Sequence, residues 1–152
     1  MRSKHKIESG GTPLQKIQCA CTNLKMAARV VGRAYDKALA VAGLNSTQYA
    51  ILINVSRYQP IPQMRLTEHL DLERTTLYRA VDILEKKGYL KTTPTGEGMA
   101  KVIELSPQGE DITARAMHEW ETLQQSFISS FGADKWAEFT EMLEAIRQHF
   151  RK

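Results

Sequence analysis

Apolar side chains recur at helical spacing in DLERTTLYRAVDILEKKGYL, residues 71–90. Leu77, Val81 and Leu84 follow one another at steps of four and three, which places them on one face of an α-helix. At about 100° per residue, Arg79 points away from that face. Thr75 points the same way, with Tyr78 and Asp82 beside the two. Hydroxyl, phenol and guanidinium groups thus occupy the front of this face, whereas a merely solvated face more often shows Glu and Lys. This polar face is therefore a candidate binding surface.

The same periodicity predicts six helices and two strands along the chain. The predicted helices cover residues 13–42, 45–58, 64–70, 74–87, 107–131 and 133–150, and the predicted strands cover residues 89–93 and 101–105. A Gly/Pro-rich loop, PTGEGMA, joins the two strands, and the segment PIPQ is expected to break the chain after the second helix. The predicted fold class is mainly α (an α+β winged helix), in the order helix, helix, helix, helix, strand, strand, helix, helix.

Capping residues mark the ends of these helices. The predicted N-terminal signals are Thr12 before Pro13, Asn45 or Ser46, and Ser106 before Pro107, and the predicted C-terminal glycines are Gly43, Gly88 and Gly132.

The first helix and the last two carry more apolar surface than one chain of this size should bury. Their stripes are Leu14, Ile17, Cys21, Leu24, Ala28, Val31, Tyr35, Ala38 and Ala42; Ile112, Ala116, Trp120, Leu123, Phe127 and Phe131; and Trp136, Phe139, Leu143, Ile146 and Phe150. Because two-fold dimers are the commonest homo-oligomers, we expect these helices to pack against a second copy of the chain. A monomeric bundle that buries every stripe internally is the alternative interpretation.

A short helix, a longer helix and a hairpin in this order are typical of a helix-turn-helix with a wing. Its small core is predicted to contain Leu66, Leu70, Leu72, Leu77, Val81 and Leu84. The front of the 74–87 helix is then free to enter the major groove of DNA, which admits one α-helix. For any single Arg or Thr on that front, a simple solvated face is the alternative.

Eight residues are candidate DNA contacts. Arg79 can form two hydrogen bonds with a guanine edge, and Tyr78 can reach a phosphate or a thymine methyl group. Thr75 and Thr76 lie in the first turn, where hydroxyls and backbone N–H groups can meet phosphates. The candidates for contacts with the DNA backbone are Arg65, Arg74, Lys86 and Lys101.

The segment LTEHLDLERTTLYRAVDILEKKGYLKTTPTGEGMAKVIELSPQG, residues 66–109, resembles the multiple antibiotic resistance regulator (MarR) family of bacterial transcription factors. Upstream, GLNSTQYAILINV and NLKMAARVVGRAYDKAL resemble the second and first helices of that family. The resemblance implies a homodimer that binds a pseudo-palindromic operator, commonly as a repressor that a small molecule or oxidant releases. It implies a dimerisation region over 13–43 and 107–152 and a winged helix-turn-helix domain over 44–106. The charged N-terminal sequence itself predicts a flexible arm over 1–12.

One departure from the family concerns the wing, which usually carries an Asp-x-Arg-type pair near its tip. The matching residues here are EGMA, in which Glu97 replaces the acid and no Arg is present. Lys91 and Lys101 flank the loop instead. We therefore expect a weaker wing contact, or one made by Lys101 with phosphates.

Composition and charge are compatible with this interpretation. Among 152 residues, 42% are hydrophobic and 25% charged, a globular balance, and no apolar run is long enough to span a bilayer. Net charge is +6 over residues 1–42, +2 over 43–101 and −4 over 102–152, which suits a polyanion engaged from one side. The charged N-terminus does not resemble a secretory signal, so we expect a cytoplasmic protein.

Cys19 and Cys21 are about 200° apart on a helix, so they cannot pair with each other without unwinding it. By resemblance to the family, either could sense oxidants. The alternative is that both are small buried hydrophobic residues.

An effector crevice is the remaining site that the resemblance implies. Its candidate lining residues are Met26, Arg29, Arg33 and Tyr49. We find no metal-binding, cofactor-binding or catalytic motif, so neither an enzyme nor a bound cofactor is expected. A winged-helix module that binds a protein and not DNA is the alternative function.

Overall fold

The computed structural model of the chain describes residues 19–96, 98 and 100–151. The chain divides into two compact units, Met1–Ala34 and Tyr35–Lys152. The predicted arm over residues 1–12, the Thr12 cap and the start of the first helix lie outside the described residues.

The order of elements predicted from the sequence is confirmed across the described residues. The helices are α1 (Ala20–Leu39), α2 (Ser46–Tyr58), α3 (Gln63–Leu70), α4 (Arg74–Lys86), α5 (Pro107–Phe131) and α6 (Ala133–Phe150). The strands are β1 (Ile61–Pro62), β2 (Leu90–Pro94) and β3 (Lys101–Leu105). A 3₁₀ turn at Ala40–Ala42 follows α1.

The sheet has three antiparallel strands where we predicted two, in the order β1-β3-β2. The added strand, β1, comes from the PIPQ segment that was expected only to break the chain. Ile61 is 3% exposed and lies opposite Ile103, so burial of its side chain favours this pairing. Pro62 is tolerated because β1 is an edge strand. A strand of two residues shows no alternation that a sequence pattern can reveal.

The helix ends follow from local hydrogen bonding. Asn45, one of the two candidate caps of α2, accepts a bond from the Gln48 backbone N–H at 2.8 Å, and its own N–H donates to the Gln48 side chain at 3.1 Å. Ser106 caps α5 as predicted, since its side chain accepts from the Gly109 N–H at 2.9 Å. Gly88 follows α4 with φ 78°, a left-handed conformation that favours glycine.

The hydrophobic core of the second unit lies between the helix-turn-helix, the sheet, α2 and the first half of α5. Its buried members include Ile51, Leu52, Val55, Leu66, Leu77, Val81, Leu84, Leu90, Ile103, Ile112 and Ala116. Four of the six residues predicted for the small core are fully buried, whereas Leu70 and Leu72 pack against it while partly exposed. This core fixes which face of α4 points inward.

The apolar stripes at the end of α5 and along α6 are only partly covered in the single chain. No side chain of α6 is buried. Phe139 is 43% exposed and Phe150 is 77% exposed. Trp136 packs its ring against Phe127 and Phe139, with centroids 5.3 and 5.8 Å apart, so the partial cover comes from neighbouring aromatic rings.

Candidate nucleic-acid interface

A tight turn joins α3 to α4. Asp71 ends α3 with φ 49°, and the Leu72 N–H donates to the Thr67 carbonyl at 3.2 Å. Asp tolerates the left-handed conformation better than most residues because its short polar side chain can bond locally. The turn sets the start of α4 relative to α3.

The polar face of α4 points outward. Leu77, Val81 and Leu84 are at most 1% exposed, whereas Thr75 and Arg79 on the opposite side are exposed and Tyr78 is 38% exposed. The other predicted contacts are also exposed: Arg65, Arg74, Thr76, Lys86 and Lys101. The structure therefore leaves all eight predicted side chains accessible to a large ligand. Among the described residues, the one ion pair that involves any of them joins Arg65 to Glu68 at 3.1 Å.

The N-terminus of α4 lacks a side-chain cap. Glu73 occupies the capping position, where its carbonyl accepts from the Leu77 N–H but its side chain forms no capping bond, and the first turn contains no acidic residue. Uncapped N–H groups and the helix dipole favour an anion at such an end. Two carboxylates, Asp71 and Glu73, stand close by in sequence and oppose that effect.

Asp71 is paired with Arg151, a contact that sequence reasoning missed. The Arg151 guanidinium donates to both carboxylate oxygens, at 3.1 and 2.6 Å, and to the Glu68 carbonyl at 3.3 Å. These bonds hold the pKa of Asp71 below its ordinary value. No local signal links residues 80 positions apart on the surface.

The wing is formed by β2 and β3. Lys91 lies opposite Glu104, and Lys101 lies opposite Pro94 near the loop, where the Thr95 N–H donates to the Ala100 carbonyl at 3.0 Å. Glu97 and Met99, on which the departure from the family depends, lie outside the described residues. On the edge of β2 that faces away from β3, the backbone N–H and hydroxyl of Thr92 donate hydrogen bonds to the Glu85 carboxylate of α4.

A cleft of about 270 Å³ opens between α2 and α5 in the second unit. Tyr49, one of the four candidate effector contacts, lines it, and Trp120, which was not predicted for it, stacks on Tyr49 with ring centroids 6.1 Å apart. Burial raises the pKa of Tyr49, the charge of Arg57 acts in the opposite sense, and Glu121 adds to the increase. Met26, Arg29 and Arg33 belong to the first unit, where they are exposed on α1, and their role stays a prediction.

Both cysteines are free and exposed in the single chain. Hydrogen bonds to the Cys19 sulfur from the backbone and side chain of Thr22, and from the Cys21 backbone, lower the pKa of the Cys19 thiol. Exposure and a lowered pKa are the two properties that a reactive thiol needs.

Other chemistry is sparse in the described part of the chain. It contains no group of three or more His, Cys, Asp or Glu side chains that could hold a metal ion. Among the same residues, no single helix is long and apolar enough to cross a membrane, although the bent pair Ala20–Ala42 and Ser46–Tyr58 meets that test by length and composition alone.

Comparison with known sequences places this region in a family. Residues 44–95 match the sequence profile of the MarR family. A curated relative from Bacillus cereus (strain ATCC 10987 / NRS 248), described as an uncharacterized HTH-type transcriptional regulator, is 28% identical over 110 residues, which cover 72% of this chain and 74% of the relative.

Solved structures give the same result for nearly the whole chain. The M. tuberculosis transcriptional regulator MosR, in complex with DNA, is 30% identical, with 86% of this chain and 99% of that chain covered and a TM-score of 0.71. E. coli MarR in complex with operator DNA is similar in fold, with 18% identity, 90% and 99% coverage and a TM-score of 0.77.

The fold and the exposed α4 face thus define a winged helix-turn-helix transcriptional regulator that binds DNA. The chain belongs to the MarR family.

Proposed function

We propose that this protein binds a pseudo-palindromic operator as a homodimer and acts as a repressor that a small molecule or an oxidant releases. The observation that carries the proposal is the exposure of Thr75, Tyr78 and Arg79 on α4 while the opposite face of the helix is fully buried. The DNA bound to MosR, a relative at 30% identity, supports double-stranded DNA as the partner. We also propose a cytoplasmic location, where bacterial DNA is found.

Each candidate contact has a separate role in this proposal. Arg79 reads a guanine edge in the major groove, where a two-bonded pair contributes about 1–3 kcal/mol of discrimination. Thr75 and Thr76 bind phosphate at the uncapped end of α4 together with its N–H groups. Tyr78 reaches a phosphate or a thymine methyl group. The residues proposed to contact the DNA backbone are Arg65, Arg74, Lys86 and Lys101.

The dimer is proposed from the apolar surface that the single chain leaves open on α5 and α6, including Phe131, Phe139, Met142 and Phe150. We assign dimerisation to residues 13–43 and 107–152, and DNA reading to residues 44–106. Two copies of α4 must lie about 34–36 Å apart to enter successive major grooves on one side of the duplex. The dimerisation helices would set that distance.

The cleft beside Tyr49 is the proposed effector site. Aromatic rings of Tyr49 and Trp120 supply an apolar wall, and Arg57 and Glu121 supply charged groups. The cleft lies between α2 of the winged helix-turn-helix domain and α5 of the dimerisation region. A ligand bound there would alter the packing of one helix against the other. A change in that packing alters the spacing of the two α4 helices and weakens DNA binding.

Substituting Lys101→Ala tests the wing contact. We expect affinity for an operator and for random-sequence duplex to fall by the same factor, because phosphates carry no sequence information. The dependence of log K on log salt concentration should become shallower by about one per lysine removed. Fluorescence anisotropy at several salt concentrations measures both the affinities and their salt dependence. The operator fragments are first selected from genomic DNA by binding to the purified protein. Lys135→Ala in α6 is the control, because it makes the same change of charge. If Lys101→Ala lowers affinity for the operator alone, the proposed contact between Lys101 and a phosphate is contradicted.

Peroxide titration of DNA binding tests the thiol switch. We expect peroxide to weaken binding by the natural protein and by Cys21→Ser, whereas Cys19→Ser should remain bound, because the thiolate is the reactive form and Cys19 has the lowered pKa. Cys21→Ser is the matched control, because it makes the same substitution two residues away, within the first turn of α1. If both variants stay as sensitive as the natural protein, neither thiol is the sensor.

A further inference from the structure

Glu85 joins the recognition helix to the wing. Its Oε1 atom accepts two hydrogen bonds from Thr92 of β2, one from the hydroxyl at 2.6 Å and one from the backbone N–H at 3.2 Å. Glu85 lies in the last turn of α4 and is half-buried, as is Thr92. In the described part of the chain Glu85 forms no ion pair, so both bonds come from neutral donors of one residue.

The backbone bond matters because β2 is an edge strand. In the antiparallel ladder, Thr95 donates to Ala100 and Ser106 donates to the Tyr89 carbonyl, so alternate residues of β2 face β3 and Thr92 faces away from it. The Thr92 N–H is therefore one of the groups that an edge strand leaves open to water or to another chain. The Glu85 carboxylate accepts a hydrogen bond from this N–H, and the bond ties the strand to α4 at one point along its length.

The bonds between Glu85 and Thr92 connect the two elements proposed to contact DNA, which are α4 and the wing. Arg79 lies on α4 two turns before Glu85, and Lys101 lies opposite Pro94, two residues beyond Thr92 along β2. Near its start, β2 is already tied to α4, because the Tyr89 N–H donates to the Leu84 carbonyl at 2.9 Å and Leu84 and Leu90 both belong to the buried core. The Glu85 bonds hold β2 three residues further along the strand, toward the end that carries the loop and Lys101.

We propose that Glu85 is a positioning residue for DNA binding: by holding Thr92 it fixes the wing, and with it Lys101, relative to the recognition helix. This inference rests on the proposed function, since it assumes that Lys101 contacts DNA.

Electrostatics alone predicts the opposite effect of removing this carboxylate. DNA is a polyanion, so loss of one negative charge from a DNA-binding unit should strengthen binding. Positioning predicts weaker binding, because the wing loses its fixed orientation. The sign of the change in affinity for random-sequence duplex therefore separates the two.

The experiment compares Glu85→Ala, which removes both bonds, with Glu85→Gln, whose neutral amide oxygen can still accept both, though more weakly than a carboxylate. Each is made alone and together with Lys101→Ala in the full chain. Asp82→Asn is the control, since it removes an exposed carboxylate from the same helix without breaking a described hydrogen bond. Affinity for random-sequence duplex, the thermal midpoint and hydrogen exchange at the Thr92 amide are measured for every variant.

We expect Glu85→Ala to weaken DNA binding and to speed exchange at the Thr92 amide, with Glu85→Gln intermediate in both and Asp82→Asn no weaker than the natural protein. The loss caused by Lys101→Ala should be smaller in the Glu85→Ala background than in the natural protein by more than about twofold, which is the limit of ordinary additivity. A Lys101→Ala loss of the same size in both backgrounds, or tighter binding by Glu85→Ala, would overturn the proposal. Should Lys101→Ala have no effect even beside the natural Glu85, the wing contact itself is refuted and the role of Glu85 is refuted with it.

Discussion

Substituting Phe139→Glu is expected to convert the protein to a monomer and to lower its affinity for an operator by about 10²- to 10⁴-fold. Phe139 is 43% exposed on α6, where no side chain is buried within the single chain. In the proposed dimer this face is covered, so a carboxylate there would be removed from water without a partner, which is costly. A monomer also loses the gain in affinity that comes from linking two DNA-binding domains that bind the same duplex.

Analytical ultracentrifugation and operator binding together measure this effect. Ala137→Glu is the matched control, because it adds the same charge to the same helix on the side opposite Phe139. We expect Ala137→Glu to remain dimeric and to bind normally. A Phe139→Glu variant that stays dimeric, or a natural protein that is monomeric, would contradict the proposed assembly.

The helix-turn-helix could be predicted from the sequence because each of its determinants is local. Leu77, Val81 and Leu84 set the inward face of α4, and Gly88 ends the helix through its left-handed conformation. The cap at Asn45 was one of two candidates, and the choice required the reciprocal bond with Gln48. Patterns of this kind depend on neighbours within one turn, which a single sequence contains in full.

Features that depend on distant pairs could not be predicted. The strand β1 exists because Ile61 meets Ile103, and no property of a two-residue segment indicates that partner. The bonds from Thr92 to Glu85 and from Arg151 to Asp71 join elements that only the fold brings together. Glu85 itself lies in a family-like stretch, yet no local pattern distinguishes its carboxylate from that of Asp82, one turn earlier on the same helix.

The cleft shows the same division between local and distant information. Tyr49 is predicted as a lining residue from the family architecture, whereas Trp120 is predicted only as a member of the apolar stripe of α5. Both assignments describe part of the geometry, since the Trp120 ring is half-buried and stacks on Tyr49 while it lines the cleft. A stripe position indicates which way a side chain points, but the shape of the partner surface decides whether space remains beside it.

Arg79→Ala is expected to lose discrimination between the operator and random-sequence duplex, by about 1–3 kcal/mol for each copy of the residue, or about 5- to 150-fold per half-site. The reason is that a guanidinium can bond both acceptors of a guanine edge, and alanine leaves them unpaired within the interface. Competition binding, with the selected operator fragment challenged by random duplex at a fixed salt concentration, measures the ratio directly.

Arg79→Lys is the sharper control, because it keeps the positive charge while losing the planar two-bond geometry. We expect Arg79→Lys to retain the affinity of the natural protein for random duplex and its salt dependence, yet to lose most of the discrimination. Lys101→Ala should show the reverse pattern, with weaker binding to every duplex and unchanged discrimination. If Arg79→Ala and Lys101→Ala lower operator and random binding equally, Arg79 contacts phosphate and base reading must be assigned to other residues on the exposed face of α4.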